Sequence, residues 1–235
     1  MGRKRIVIAT IKSWNIEKAQ SLQRENADLE THIITDKDSL TVERLSEIRP
    51  EYVFFPHWSW MIPKEIYANY DCIVFHMTDL PFGRGGSPLQ NLIARGIYST
   101  KISAIQVTDG LDCGDVYMKR PLDLKNGSAT DIFKKASDIV FQMIEDIVRK
   151  KPLPHKQEGK VIVFKRRTPE ESALPLDESL VKVYDWIRML DAESYPRAFI
   201  EKGNLRFEFE EACLDKGMVT AKVRIKEKVG VLDEK

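Results

Sequence analysis

Cysteine is scarce and scattered in this chain. Cys72, Cys113 and Cys213 are odd in number and far apart, forming neither a disulfide framework nor the short-spaced ligand set of a zinc site. A cytoplasmic protein without a metal is the expectation. Long apolar runs are lacking too: Ile6 to Ile11 is shorter than a signal-peptide core and far below the roughly 20 residues of a membrane span. No membrane partner is expected, and the run reads as a first strand. Nor does either charge dominate, since 37 Lys and Arg stand against 36 Asp and Glu, for a net charge of +1. That balance argues against a surface made for polyanions and predicts no nucleic-acid partner. Internal repeats and low-complexity tracts are absent. What is present is an ordinary globular composition, 43% apolar over 235 residues, sufficient for one large domain with an appendage.

Short β-branched or aromatic runs at Arg5–Ala9, Thr31–Thr35, Tyr52–Phe55 and Cys72–His76 read as strands. Amphipathic stretches at Asn15–Arg24, Thr41–Ile48, Lys64–Asn69 and Pro88–Gly96 separate them as crossover helices. This alternation predicts an α/β fold with a Rossmann-like, mostly parallel sheet covered on both faces. Strands are also expected at Lys101–Val107 and Val116–Lys119, joined hairpin-fashion through Thr108–Gly114. Ser128–Lys151 carries a helical stripe of Ile132, Phe133, Ala136, Val140, Met143, Ile144 and Ile147, which Pro152 and Pro154 end. Beyond it come a strand at Val161–Phe164, a helix from Leu176 or Asp177 to Leu190, and strands at Ala198–Ile200, Leu205–Glu210 and Val219–Ile225. The expected organisation is a catalytic domain, residues 1–155, and a smaller, mainly β carboxyl-terminal α+β domain, residues 156–235.

One strand delivers His76 at its carboxyl end, the edge where open α/β sheets hold ligands, and His76 is a candidate general acid or base. The Gly85-Gly86 pair that follows permits close backbone approach to a ligand, and Pro88 suits the first turn of the next helix. Asp112 and Asp115 lie in a turn after the next apolar strand, where Asp also serves local backbone hydrogen bonds. Spacing leaves open whether either carboxylate reaches His76. The first strand-to-helix loop is too poor in glycine for a dinucleotide fingerprint, yet Lys12 offers a charge to a diphosphate and Trp14 a flat face to a sugar or base.

His76 with Thr78, Leu80-Pro81, Arg84-Gly85 and Pro88, followed 36 residues after the histidine by Asp112 within Leu111-Asp112-Cys113-Gly114, resembles the folate-dependent formyltransferase family. The likeness covers roughly residues 1 to 150 and extends loosely through residues 165–169 and 195–199. It implies His76 and Asp112 as catalytic residues and 10-formyltetrahydrofolate as the one-carbon donor. It further implies a pterin pocket formed by Trp60, Met61 and Ile62 with Val107, Thr108, Asp109, Gly110 and Asp112. Substrate contacts are expected from Thr10, Lys12, Trp14, His57, Phe82, Arg84, Gly85, Gly86 and Gln90. The sequence departs from the family motif at Val74, where an asparagine is the rule, which leaves His57 or Thr78, or else solvent or a backbone group, to take its place as oxyanion donor.

Within that family, His57–Trp60 and Phe82–Gly86 look most like the sugar N-formyltransferases of the pseudaminic acid pathway. The acceptor this implies is a nucleotide-linked amino sugar, a UDP-linked 4-amino-4,6-dideoxyhexose such as the altrose derivative. Formylation of methionyl-tRNA is the enzymatic alternative, disfavoured by a final 30 residues that are not strongly cationic. A non-catalytic protein that binds folate or a nucleotide sugar is the other. A homodimer is left open.

Overall fold

The computed structural model describes residues 3–228, so residues 229–235 of the expected second domain lie outside the described residues. The chain divides into two compact units. One comprises the chain up to Pro88 with Ser99–Leu122 and Lys134–Phe164, and the other Leu89–Tyr98, Asp123–Phe133 and the chain from Lys165 onward. Spatial grouping therefore departs from a single boundary after residue 155: two central segments join the second unit, because contacts rather than chain order define it.

The first unit contains strands β1 (Lys4–Ala9), β2 (Leu29–Ile34), β3 (Tyr52–Phe55), β4 (Cys72–His76), β5 (Phe82–Gly85), β6 (Ser99–Gln106), β7 (Val116–Asp123) and β8 (Ile162–Phe164). Six of these form the main sheet in the order β2-β1-β3-β4-β6-β7. Ile6, Val7, Ile8 and Ala9 are fully buried, as are Val53 and Phe54, the continuous apolar character of parallel strands covered on both faces. β1 pairs in parallel with β2 and β3, and β3 with β4. The carboxyl ends of β1, β3 and β4 thus share one edge, where Thr10 Oγ1 and Asn15 Nδ2 both donate to the Pro56 carbonyl, at 2.6 and 3.3 Å. On one face Val7, Ala9, Ile34, Leu40, Leu45, Val53, Phe55, Ile66 and Cys72 form a contiguous core.

Helices α1 (Ser13–Glu25), α2 (Val42–Ile48), α3 (Lys64–Tyr67), α4 (Pro88–Ala94) and α5 (Ala129–Lys150) connect the strands. α1 buries Trp14, Asn15, Ala19 and Leu22, and Ser137 Oγ of α5 donates to Asn15 Oδ1 at 2.5 Å. Two features lie outside the pattern read from the sequence. β6 runs antiparallel to β4, with His76 opposite Ser103 and Ile73 opposite Gln106. The glycine-rich segment after β4 also forms a strand of its own, β5, which pairs in parallel with β8.

In the second unit, β9 (Ala198–Lys202), β10 (Leu205–Asp215) and β11 (Met218–Glu227) form an antiparallel sheet in the order β11-β10-β9. β10 extends past the expected Glu210 through a bulge that holds Glu211 at φ 56°. α6 (Leu180–Leu190) begins later than Leu176 or Asp177, because Ser179 caps it, accepting from Lys182 N at 3.3 Å. Among the described residues no helix is long and apolar enough to cross a membrane.

α6 also turns two charges inward. Asp185 and Arg188 are both 2% exposed, and Arg188 Nε donates to Asp185 Oδ1 at 2.7 Å. Arg188 Nη1 donates to the carbonyls of Leu124 and Gly127, at 2.9 and 3.1 Å, and Tyr98 OH donates to Asp185 Oδ2 at 2.5 Å. One ion pair thereby ties α6 to both central segments of its unit. Arg188→Ala leaves a buried carboxylate without its counter-charge and should cost about 3–5 kcal/mol in equilibrium denaturation. The Asp185→Leu, Arg188→Met double variant should lose less than the single one.

Candidate functional site

β4 places His76 at its last position, buried on the same face as Val74 and Cys72. Nε2 lies 2.7 Å from the Gly83 carbonyl oxygen. A carbonyl can only accept, so Nε2 carries the proton in the neutral ring and Nδ1 carries the lone pair. Nδ1 faces Asp112 Oδ2 at 3.5 Å. The same carboxylate oxygen accepts from the Gly85 backbone N–H at 2.9 Å. Sequence spacing could not establish this meeting of His76 and Asp112. The loop that carries Asp112 leaves β6 at the far end of β4, where Val107 N donates to the Cys72 carbonyl at 2.8 Å. It must fold back along the sheet to reach His76, and Asp112 arrives with φ 49°, in the left-handed region.

Gly85 was expected to leave room for a ligand. The structure assigns the room elsewhere: a Cβ on Gly85, whose φ is 107°, would lie 2.3 Å from the Phe164 carbonyl oxygen. Gly83 is hemmed in likewise, with the Phe164 ring and Thr78 Cγ2 at 2.7 and 2.8 Å from its would-be Cβ. Gly86 N donates to the Phe164 carbonyl at 3.2 Å, and the Phe82 and Phe164 rings meet edge to face at 5.5 Å. Arg84 directs Nε and Nη2 to Gln157 Oε1, at 3.1 and 2.8 Å.

The remaining expected substrate residues fall in two places. Thr10 is fully buried, its hydroxyl engaged by Pro56. Lys12 Nζ lies 5.8 Å above the Trp14 ring, which meets His57 edge to face at 6.0 Å, so the structure gathers this group where β1 and β3 end. Gln90 belongs to the second unit, buried and donating to the Met189 carbonyl at 3.1 Å. Of the expected pterin residues, Trp60 and Met61 are 40% and 86% exposed, while Ile62 and Val107 pack against the core cluster. Thr108, Asp109 and Gly110 are exposed. Their loop is braced internally, with Cys113 Sγ 3.6 Å from Thr108 Oγ1 and 3.5 Å from the Asp109 carbonyl.

Val74 packs against Leu80, Ile105 and Val116 as well as the main core, an apolar setting. Of its two expected stand-ins, Thr78 is fully buried and donates to the Gly83 carbonyl at 3.3 Å. The other, His57, is held neutral, its pKa pushed down to about 4 by burial first and by Lys12 second.

Residues 169–226 match a family model described as methionyl-tRNA formyltransferase, C-terminal domain. A solved structure titled methionyl-tRNA formyltransferase from Clostridium thermocellum is 57% identical, covers 96% of this chain and 100% of its own, and has a TM-score of 0.93. The methionyl-tRNA formyltransferase of Clostridium beijerinckii is 24% identical over 72% of this chain and 57% of its own length. The chain spans about half the length of the curated relatives it matches. A sugar N-formyltransferase from a Shewanella species is 15% identical, covers 97% of this chain and 99% of its own, and has a TM-score of 0.68, a likeness of fold alone.

These findings overturn the expected nucleotide-linked amino-sugar acceptor and, with it, the expected absence of a nucleic-acid partner, since the relatives at 57% and 24% identity are named for a tRNA substrate. Both errors have physical sources. Phe82–Gly86 suggested a sugar site, but its glycines answer to Phe164. A net charge near zero says nothing of how charges are distributed over a surface.

Gly85→Ala should cost at least about 1–3 kcal/mol for the positive φ alone, before the clash with Phe164, as read by chemical denaturation. For His57 the folded pKa of about 4 lies below the ordinary 6.5, so between these values the unfolded chain binds the extra proton. This contribution to stability is present above pH 6.5 and is lost as the pH falls toward 4. Denaturation midpoints measured from about pH 7 down to about pH 4.5 should therefore fall more steeply for the parent than for His57→Gln.

Proposed function

This chain belongs to the formyltransferase family, and from that premise we propose that it transfers a formyl group from 10-formyltetrahydrofolate to the α-amino group of methionine carried on tRNA. The observation that carries the chemistry is the placement of His76 Nδ1 opposite Asp112 Oδ2 at 3.5 Å. The acceptor reading rests on kinship with the Clostridium thermocellum protein.

The donor supplies a carbon already at the formyl oxidation level. An amine that acylates must lose a proton, and the chain provides a place for it. Because the Gly83 carbonyl holds the proton on Nε2, Nδ1 is the basic nitrogen, and a proton taken there lies between the ring and the Asp112 carboxylate, which stabilises the imidazolium. The Gly85 N–H fixes the orientation of that carboxylate. With both ring nitrogens engaged, a hydrogen bond from His76 to an oxyanion requires one of these contacts to open. Trp60, Met61 and Leu111 are each exposed, and such apolar surface suits a flat heteroaromatic ring, which supports a pterin role for Trp60 and Met61, with Ile62 and Val107–Gly110.

Incubation with 10-formyltetrahydrofolate and methionyl-tRNA, with free methionine in parallel, followed by mass spectrometry of the released amino acid, should yield formylmethionine from the tRNA alone. His76→Ala and Asp112→Asn should each lower kcat by about a hundredfold or more with an unchanged circular dichroism spectrum. Formylation of free methionine at an equal rate would exclude recognition of the tRNA.

A further inference from the structure

Gln157 lies beyond the end of α5, in a stretch fastened to the start of β7. Val116 and His155 exchange both backbone hydrogen bonds, at 2.7 and 3.0 Å, and Lys156 Nζ meets Asp115 Oδ1 at 3.0 Å. From this anchorage the half-buried Gln157 side chain reaches two segments at once. Nε2 donates to the carbonyls of Asp112 and Gly114, at 2.9 and 2.8 Å, and Oε1 accepts twice from Arg84, at 3.1 and 2.8 Å. Both amide hydrogens and both oxygen lone pairs are therefore in use. The reversed amide would set NH₂ against a guanidinium and oxygen against two carbonyls, so the network dictates its orientation.

These partners flank the His76–Asp112 pair. Arg84 immediately precedes Gly85, whose N–H holds Asp112 Oδ2, and Asp112 itself sits in the left-handed region at φ 49°. The far side of the loop has no slack: a Cβ on Gly114 would lie 1.8 Å from the Gln106 carbonyl oxygen. We propose that Gln157 is a positioning residue, a clamp that sets the distance between the Asp112 loop and the Arg84–Gly85 strand and thereby the approach of Asp112 to His76. It acts through those groups and reaches neither reacting atom.

The kinetic test rests on the formyl-transfer reading, so it includes a reaction independent of the acceptor. With water in place of the amine, water attacks the formyl carbon, the carbon–nitrogen bond of the donor breaks, the nitrogen takes a proton, and formate departs. Tetrahydrofolate release to water and formylation of methionyl-tRNA would be followed for the parent, Q157L and Q157E. Q157L should lower kcat about 10- to 100-fold in both reactions while KM for the donor stays within about twofold. Q157E keeps the contact with Arg84 but sets a carboxylate against two carbonyl oxygens. Its kcat relative to the parent should rise as the pH falls toward the carboxylic acid range, about 4–5, where the protonated group can donate again. A simple packing defect would show no such recovery.

A Q157L kcat within about twofold of the parent, or a Q157E ratio flat with pH, would reject the clamp. A parent that releases formate but does not formylate methionyl-tRNA would reject the acceptor alone. If the parent turns over neither, amide exchange across residues 110–115 decides: faster exchange in Q157L supports the clamp, and unchanged exchange rejects it.

Discussion

The site depends on one close approach, that of the Phe164 carbonyl to the Cα of Gly85. Only a residue without a side chain lets β8 come this near, and the pairing it allows turns a glycine-rich loop into the short strand β5. Once β5 is extended and held, the Gly85 N–H is aimed at Asp112 and the Gly83 carbonyl at His76. Both polar contacts that orient the dyad therefore come from the backbone of one four-residue strand. Backbone groups suit this task because they carry no rotamer freedom and are placed as firmly as the strand itself.

Two of the polar clusters among the described residues follow opposite logic. In the second unit, Asp185 and Arg188 neutralise one another and are hydrogen-bonded on several sides, so the charges are compensated within the fold. At the dyad, by contrast, Asp112 faces His76 Nδ1, the nitrogen that bears the lone pair when the ring is neutral, and the geometry leaves a place for a proton between them. The first arrangement is balanced in charge, although Arg188 Nη2 is buried without a hydrogen-bond partner among the described residues. The second has the incompleteness that acid–base chemistry uses.

The positions of His76 at a strand end and of Asp112 in a later acidic turn were legible because both are local patterns. Gln157 carried no such mark. It lies outside any periodic element and acts through contacts with residues 84, 112 and 114, none of them its neighbours in sequence. The antiparallel direction of β6 was also hidden, since a buried strand reads the same in either direction. The acceptor was misread for a related cause: glycines that make room for Phe164 were read as glycines that make room for a substrate.

The sequence by itself determined the alternation of strands and helices, the apolar strands of a buried sheet, and the terminal position of His76 on its strand. Each is a matter of neighbours along the chain, where side-chain period and turn chemistry act directly. The tertiary structure alone decided which carboxylate meets the histidine, which nitrogen carries the proton, why Gly85 must be glycine, and which central segments belong to the second unit. Those outcomes depend on groups brought together from distant parts of the chain, and local propensity has no term for a contact that exists only once the chain has closed upon itself.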